Sequence, residues 1–354
     1  MAQYGKLKPW MQEHNLDALL ISNRTNIRYF SGFAGSAGVL VLTETLRKNF
    51  VDFRYVEQAS QTAPDFETVC SSGNPLDAAI EFLQQSGMGN IGFENEVMTV
   101  AEFSRLSRKI PAEKWIPVQL DGLRSVKTVV EIEKIAAAAA IADAAYAKLL
   151  PLIRPGVTEQ ALAAALEYEM RLLGSERTAF DTIVASGPRS ALPHGRASAK
   201  VLAPGDFVVF DFGAVFDGYH SDITRTICVG KASPRHREVY DTVLSAQLAG
   251  LAAVRPGALC RDVDKSARDI ITAAGFGANF GHGLGHCVGL EIHENPRLSM
   301  LAGEARLETG MVVTVEPGIY LPDWGGVRTE DLVVVTESGC RILSQTRKEL
   351  LELG

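Results

Sequence analysis

Two RPG tripeptides, at 154–156 and 255–257, align two long stretches of the chain on one another. The first stretch runs through RPGVTEQALAAALEYEMRLLG to LAPGDFVVFDFG, the second through RPGALCRDVDKSARDIITAAG to LETGMVVTVEPG. Leu202, Gly205, Val208 and Asp211 correspond to Leu307, Gly310, Val313 and Glu316 at a constant spacing. A repeat this long is a duplicated half-domain rather than a solenoid. The pattern predicts two helix-helix-strand-strand units around a shared core. The carboxylates recur with the scaffold.

Each half ends a hydrophobic strand on an acid, which is costly unless something compensates the charge. In the first half, Asp217-Gly218 is a strong two-residue hairpin signal and returns Asp222 to within about a residue of facing Asp211. In the second, PDWGG at 322–326 brings Glu330 back towards Glu316. Taken alone, Asp211 and Asp222 could flank a turn or pair with Arg225. Their recurrence as Glu316 and Glu330 favours four carboxylates converging on divalent metal, and the pseudo-twofold suits two ions. GHGLGHCVGLEIHE adds His282, His286 and His293 among glycines. One imidazole among oxygen donors suits Mn²⁺ or Co²⁺, with Fe²⁺ and Zn²⁺ as alternatives. Such a centre activates water and polarises a carbonyl or phosphoryl group, which defines a dinuclear metallohydrolase.

At 354 residues the chain is long enough for two domains. Residues 1–123 alternate strand-like runs (LDALLIS, AGVLVLT, KNFVDFR) with helical ones (YVEQASQ, LDAAIEFLQQSG, VMTVAEFSRLSRK) and read as an N-terminal α/β domain. Thr128 and Glu131 form a capping-box pattern at the start of an Ala-rich helix, so the second domain is taken as 124–354. No run approaches the ~20 uninterrupted apolar residues of a bilayer span, and the first residues lack a secretory pattern. The five cysteines, with no CxxC pair, argue against a disulfide framework or a thiolate zinc site. The net charge of −7 without a basic block argues against nucleic acid and anionic membranes as partners. The expected location is the cytoplasm.

SALPHGRAS, DGYHSDITRT, GLGHCVGLEIHENPR, VEPGIY and GVRTED together resemble, in order and spacing, the motifs of the pita-bread metallopeptidases, in particular the Xaa-Pro dipeptidase (prolidase) and aminopeptidase P branch. NIRYFSGFAGSAGVLVLT and FVDFRY resemble that branch's N-terminal, creatinase-like domain. The resemblance implies an α+β chain with an N-terminal α/β domain and a pseudo-twofold pita-bread catalytic domain. It implies metal ligands at Asp211, Asp222, His286, Glu316 and Glu330. His194 and His293 would flank the scissile carbonyl, and Glu316 would also shuttle the proton. His282 would line the substrate pocket, and Arg297 would pair with a dipeptide's C-terminal carboxylate. Tyr219 and Thr224 are expected to support the ligands from behind. The chain departs from the family at Cys287, where glycine usually follows the ligand histidine, and at Thr329, where an aliphatic residue is commoner. A small side chain at 287 is expected to be tolerated and the thiol passive, with sensitivity to oxidation or to soft metals as the alternative.

The resemblance implies a homodimer hydrolysing short proline-containing peptides, most simply an Xaa-Pro dipeptidase. Aminopeptidase P acting on longer peptides is the alternative reading. The extra N-terminal domain argues against a methionine aminopeptidase. Retention of all five ligand positions argues against metal-free, creatinase-like chemistry and against a catalytically inactive pita-bread binding module.

Overall fold

The structure is a computed structural model that describes residues 3–354. The chain divides into two compact units, Met1–Arg124 and Ser125–Gly354.

The first unit is built on a six-stranded mixed sheet. Its strand order is Glu67–Ser71, Arg47–Asp52, Val39–Thr43, Ala18–Ile21, Ile91–Glu94, Trp115–Val118. Ala18–Ile21 is buried on both faces, as expected of the apolar run DALLIS at the centre of a covered sheet. The helices Pro75–Ser86 and Val100–Lys109 contribute Leu76, Ile80, Leu83 and Leu106 to a core shared with Leu20, Val41, Phe50 and Phe93. Asn74 and Thr99 cap those helices, the latter reciprocally with Glu102. Capping supplies partners for first-turn N–H groups that the helix itself leaves open.

The second unit carries the duplication. Helices Val129–Leu149 and Glu159–Leu172 pack on a sheet ordered Leu351–Leu353, Ile223–Val229, Phe207–Phe212, Ile183–Ser186. Helices Pro234–Ala253 and Cys260–Ala273 pack on a sheet ordered Glu294–Leu298, Gly285–Cys287, Val312–Val315, Asp331–Val335, Cys340–Ile342. Small details repeat as well. Thr128 and Ser233, at corresponding positions, each open a helix with a capping box, to Glu131 and His236 respectively. Gly156 N–H donates to the Leu202 carbonyl (3.0 Å) and Gly257 N–H to that of Leu307 (2.8 Å).

Val129–Leu152 has the length and composition to cross a bilayer. Its Ile135, Ala138, Ala142, Tyr146 and Leu149 are nevertheless buried within the second unit. Tyr146 stacks on Phe212 with ring centroids 5.3 Å apart, and Asp143 accepts from the backbone of Gln345 and Thr346 at 2.6 and 2.9 Å. The many alanines permit close approach to neighbouring elements, which explains the composition without a membrane.

Candidate metal centre

The two hairpins place the acids. Phe216 pairs with Tyr219 across the Asp217-Gly218 turn, where both residues take positive φ, 45° and 77°, the conformation that Asp-Gly favours. The returning strand sets Thr224, not Asp222, opposite Asp211. Asp222 therefore lies two residues out of register, further than the sequence predicts. The ladder is interrupted at Gly213, where a Cβ would run into the Ser221 carbonyl. In the second half Val315 faces Asp331, so Glu316 and Glu330 flank the end of that ladder.

The four carboxylates and one imidazole converge. One oxygen each from Asp211, Asp222 and Glu330 lie within 4.8 Å of one another. His286 Nε2 is 3.5 Å from Asp222 Oδ2 and 3.4 Å from Glu316 Oε1. Burial pushes the Asp222 carboxyl well above the usual range, and the charges of Glu330, Asp211 and Glu316 push it further. Glu330 is raised well above that range too, first by burial and then by Glu316 and Asp211. Glu316 is raised by burial to about 7, with Arg328 opposing. Asp211 is raised by burial against the pull of Arg328. Acids held this way stay protonated unless further positive charge comes among them.

The donor set fits a cation. Asp211 Oδ1 and Glu330 Oε1 are buried without a hydrogen-bond partner, a state that polar atoms in proteins rarely keep. Burial lowers the His286 imidazole to about 3, with the nearby His293 adding to the effect, so the ring is neutral. Its Nδ1 faces the Cys287 carbonyl at 3.0 Å. That contact puts the hydrogen on Nδ1 and leaves the Nε2 lone pair directed at the carboxylates, as a metal-ligating histidine requires.

Arg328 is the prominent residue that the sequence reading missed. Its Nη2 lies 2.5 Å from Asp211 Oδ2, its Nε donates to Thr224 Oγ1 (3.0 Å), and its Nη1 donates to Tyr320 OH (2.8 Å) and the Pro193 carbonyl (3.1 Å). The signal was available: Arg328 stands two residues before Glu330 on an extended segment, so both side chains face the same way. Tyr320 OH also meets His282 Nε2 at 2.9 Å. A second missed feature is the buried Lys127–Glu294 pair at 3.0 Å, which links residues too far apart in sequence to leave a local signature.

The remaining expected residues divide. Thr224 lies behind the cluster and donates to Glu330 Oε2 at 2.6 Å. Tyr219 reaches elsewhere: its hydroxyl donates to Glu131 Oε1 at 3.1 Å, in the cap of the helix Val129–Leu149. Strand alternation sends Tyr219 and Asp222 to different surroundings. His293 is exposed and sets its ring edge-on to His286 with centroids 4.4 Å apart. His194, also exposed, is near enough for its charge to bear on Asp211, His282 and His293. His282 is lowered to about 4 by burial, with Arg328 contributing. Arg297 is exposed on the strand Glu294–Leu298, opposite His286 in register, and its charge reaches Glu316. Cys287, by contrast, turns into the hydrophobic core, and burial raises its thiol to about 12. A thiol so placed is neither a ligand nor readily oxidised.

A duplicated α/β scaffold that closes four acids and a neutral imidazole around one point defines a metal-dependent hydrolase. Residues 133–337 match the model of metallopeptidase family M24, and residues 4–126 match that of the creatinase/prolidase N-terminal domain. The chain belongs to metallopeptidase family M24, with its pita-bread catalytic fold. It is 40% identical to the Xaa-Pro dipeptidase of Pyrococcus furiosus over 98% of both chains. Its structure matches the Xaa-Pro dipeptidase from Bacillus anthracis with a TM-score of 0.95 at 44% identity, covering 99% of each chain. The X-Pro aminopeptidase from Thermotoga maritima matches with a TM-score of 0.91 at 39% identity over the full length of both.

Proposed function

We propose that the protein is an Xaa-Pro dipeptidase that hydrolyses the imide bond before proline in short peptides. The observation that carries this reading is the set of buried, partnerless carboxylate oxygens around the neutral His286, with exposed Arg297 directly across the strand. In this reading Asp211, Asp222, His286, Glu316 and Glu330 hold two divalent ions, Mn²⁺ or Co²⁺ before Zn²⁺ or Fe²⁺ by donor chemistry. Bound metal makes water a nucleophile near neutral pH and polarises the scissile carbonyl. Glu316 takes the proton of the attacking water and passes it to the leaving proline nitrogen. His194 and His293 orient the carbonyl and donate to its developing negative charge, and His282 lines the pocket. Arg328 holds Asp211 in place. Arg297 takes the substrate's C-terminal carboxylate in a paired hydrogen bond.

The relatives' names divide between dipeptidase and aminopeptidase, and Arg297 favours the former. A cation at that end rewards a carboxylate one residue after the scissile bond, which a longer peptide does not present there. The reading also places the enzyme in the cytoplasm as a homodimer, without nucleic-acid or membrane partners. The deciding test strips the metal, restores Mn²⁺, Co²⁺ or Zn²⁺ singly, and follows an Xaa-Pro dipeptide beside an Xaa-Pro-Yaa tripeptide, with Glu316→Ala as control. Metal-dependent cleavage restricted to the dipeptide supports the proposal. Preference for the tripeptide makes it an aminopeptidase P, and cleavage of neither removes the peptidase reading.

A further inference from the structure

The loop that carries His194 leaves the strand Ile183–Ser186 and returns near Ser198. Both necks of the loop end on one buried carboxylate, Glu159, which is fully inaccessible. Its Oε1 accepts from Ser186 N (2.7 Å) and Ser186 Oγ (2.8 Å). Its Oε2 accepts from Ser198 N (2.9 Å) and Ser198 Oγ (2.6 Å). Arg189 Nε, inside the loop, donates to the same group at 3.1 Å, and Arg189 Nη2 donates to the Arg196 carbonyl at 2.6 Å. Glu159 opens the helix Glu159–Leu172. Its own N–H and that of Gln160 donate to the Lys200 and Ser198 carbonyls at 3.0 and 3.1 Å.

The duplication supplies an internal comparison. Cys260 occupies the corresponding position in the second half and keeps the backbone bond, donating to the Ala305 carbonyl at 2.9 Å. Its side chain has no capacity to gather donors in this way. The second half does not need it, because the chain after His293 forms the strand Glu294–Leu298 and is held by pairing with Gly285–Cys287. The chain around His194 forms no ladder beyond the single bridge Ile183–Arg196, and from the second half it receives the point contacts Arg328 Nη1 to the Pro193 carbonyl (3.1 Å) and Gly326 N–H to Ser190 Oγ (2.8 Å). Scaffolding requires the backbone bond in both halves, whereas the carboxylate occurs only where a histidine loop lacks a partner strand.

We propose that Glu159 is a positioning residue for catalysis, holding His194 at the reacting carbonyl by clamping the two necks of its loop. This inference rests on the role assigned to His194 above. Small displacements of a reacting group cost rates of up to ~100-fold, so loosening the clamp should appear in kcat through His194 and not through the metal.

The test is a double-mutant cycle with the metal-loaded enzyme and an Xaa-Pro dipeptide, comparing wild type, Glu159→Gln, His194→Ala and the double variant. Metal content and thermal midpoint are read alongside. Glu159→Gln should keep its metal and lose ~10- to 100-fold in kcat, while the double variant should be no worse than His194→Ala. If the two losses multiply, or Glu159→Gln keeps full activity, the clamp does not act through His194 and the inference is overturned. If His194→Ala is itself fully active, the assigned role of His194 fails first and the inference falls with it. Should Glu159→Gln not accumulate as folded protein, Ser198→Ala removes one hydroxyl from the clamp and serves the same cycle, with the same non-additive result expected.

Discussion

Arg328 Nη2 sits 2.5 Å from Asp211 Oδ2, with both side chains nearly inaccessible to water. The same guanidinium reaches Thr224, Tyr320 and the Pro193 carbonyl, so it ties together elements from both halves of the duplicated unit. Removing one member of a buried pair leaves an uncompensated charge and typically costs ~3–5 kcal/mol. Arg328→Met should lower unfolding stability by about that much, read from denaturant midpoints of the metal-free protein. A change under ~1 kcal/mol would place the pair among weak surface contacts.

Metal removal should expose the strain among the acids as a pH dependence. The Glu316 carboxyl rises from an ordinary 4.5 to about 7 on folding, and Asp222 and Glu330 move in the same direction. Between these pH values the folded, metal-free protein holds more protons than the unfolded chain. The associated stability is complete below about pH 4.5 and is lost as pH rises through about 7. The gap in thermal midpoint between metal-loaded and chelated protein should widen from pH 5 to pH 7.5. A constant gap would mean that the carboxylates do not govern metal-linked stability.

Arg297 should act on one end of the substrate. A charge-assisted hydrogen bond is worth ~1.5–3 kcal/mol, so Arg297→Gln should raise KM for an Xaa-Pro dipeptide by ~10- to 100-fold and alter tripeptide kinetics far less. Equal losses on both substrates would show that Arg297 does not read the C-terminal carboxylate.

Tyr219 should matter to the helix and not to the reaction. Its hydroxyl bond to Glu131 is a neutral-to-carboxylate contact whose loss costs ~1–2 kcal/mol. Tyr219→Phe should show that drop in stability with kcat unchanged, because no reacting group moves. A tenfold fall in kcat at unchanged stability would return Tyr219 to the site.

Much of this architecture was legible because duplication writes itself into the sequence. The paired RPG turns, the repeated strand ends and the capping residue Thr128 are local patterns, and the Thr128 cap appears in the structure as such. What the pattern misjudged was register and direction. Asp222 fell two residues out of step with Asp211, because the two-residue turn sets Phe216 against Tyr219 and the same register carries on to Thr224 opposite Asp211. Tyr219 pointed away from the cluster, with its hydroxyl on Glu131. The Tyr219 outcome depends on which face a side chain takes beside a tight turn, and a one-residue shift reverses that face.

The sequence alone determined the duplicated half-domains, their hairpins and the acidic strand ends, since helix periodicity, turn chemistry and repetition act over short distances. Tertiary structure alone decided that Arg328 faces Asp211, that Lys127 pairs with Glu294 and that Glu159 gathers both necks of the His194 loop. Those partners are separated by 117, 167 and up to 39 positions respectively. A buried charge is selected by whatever donor the fold brings within about 3 Å of it, and that neighbour is known only once the chain has folded.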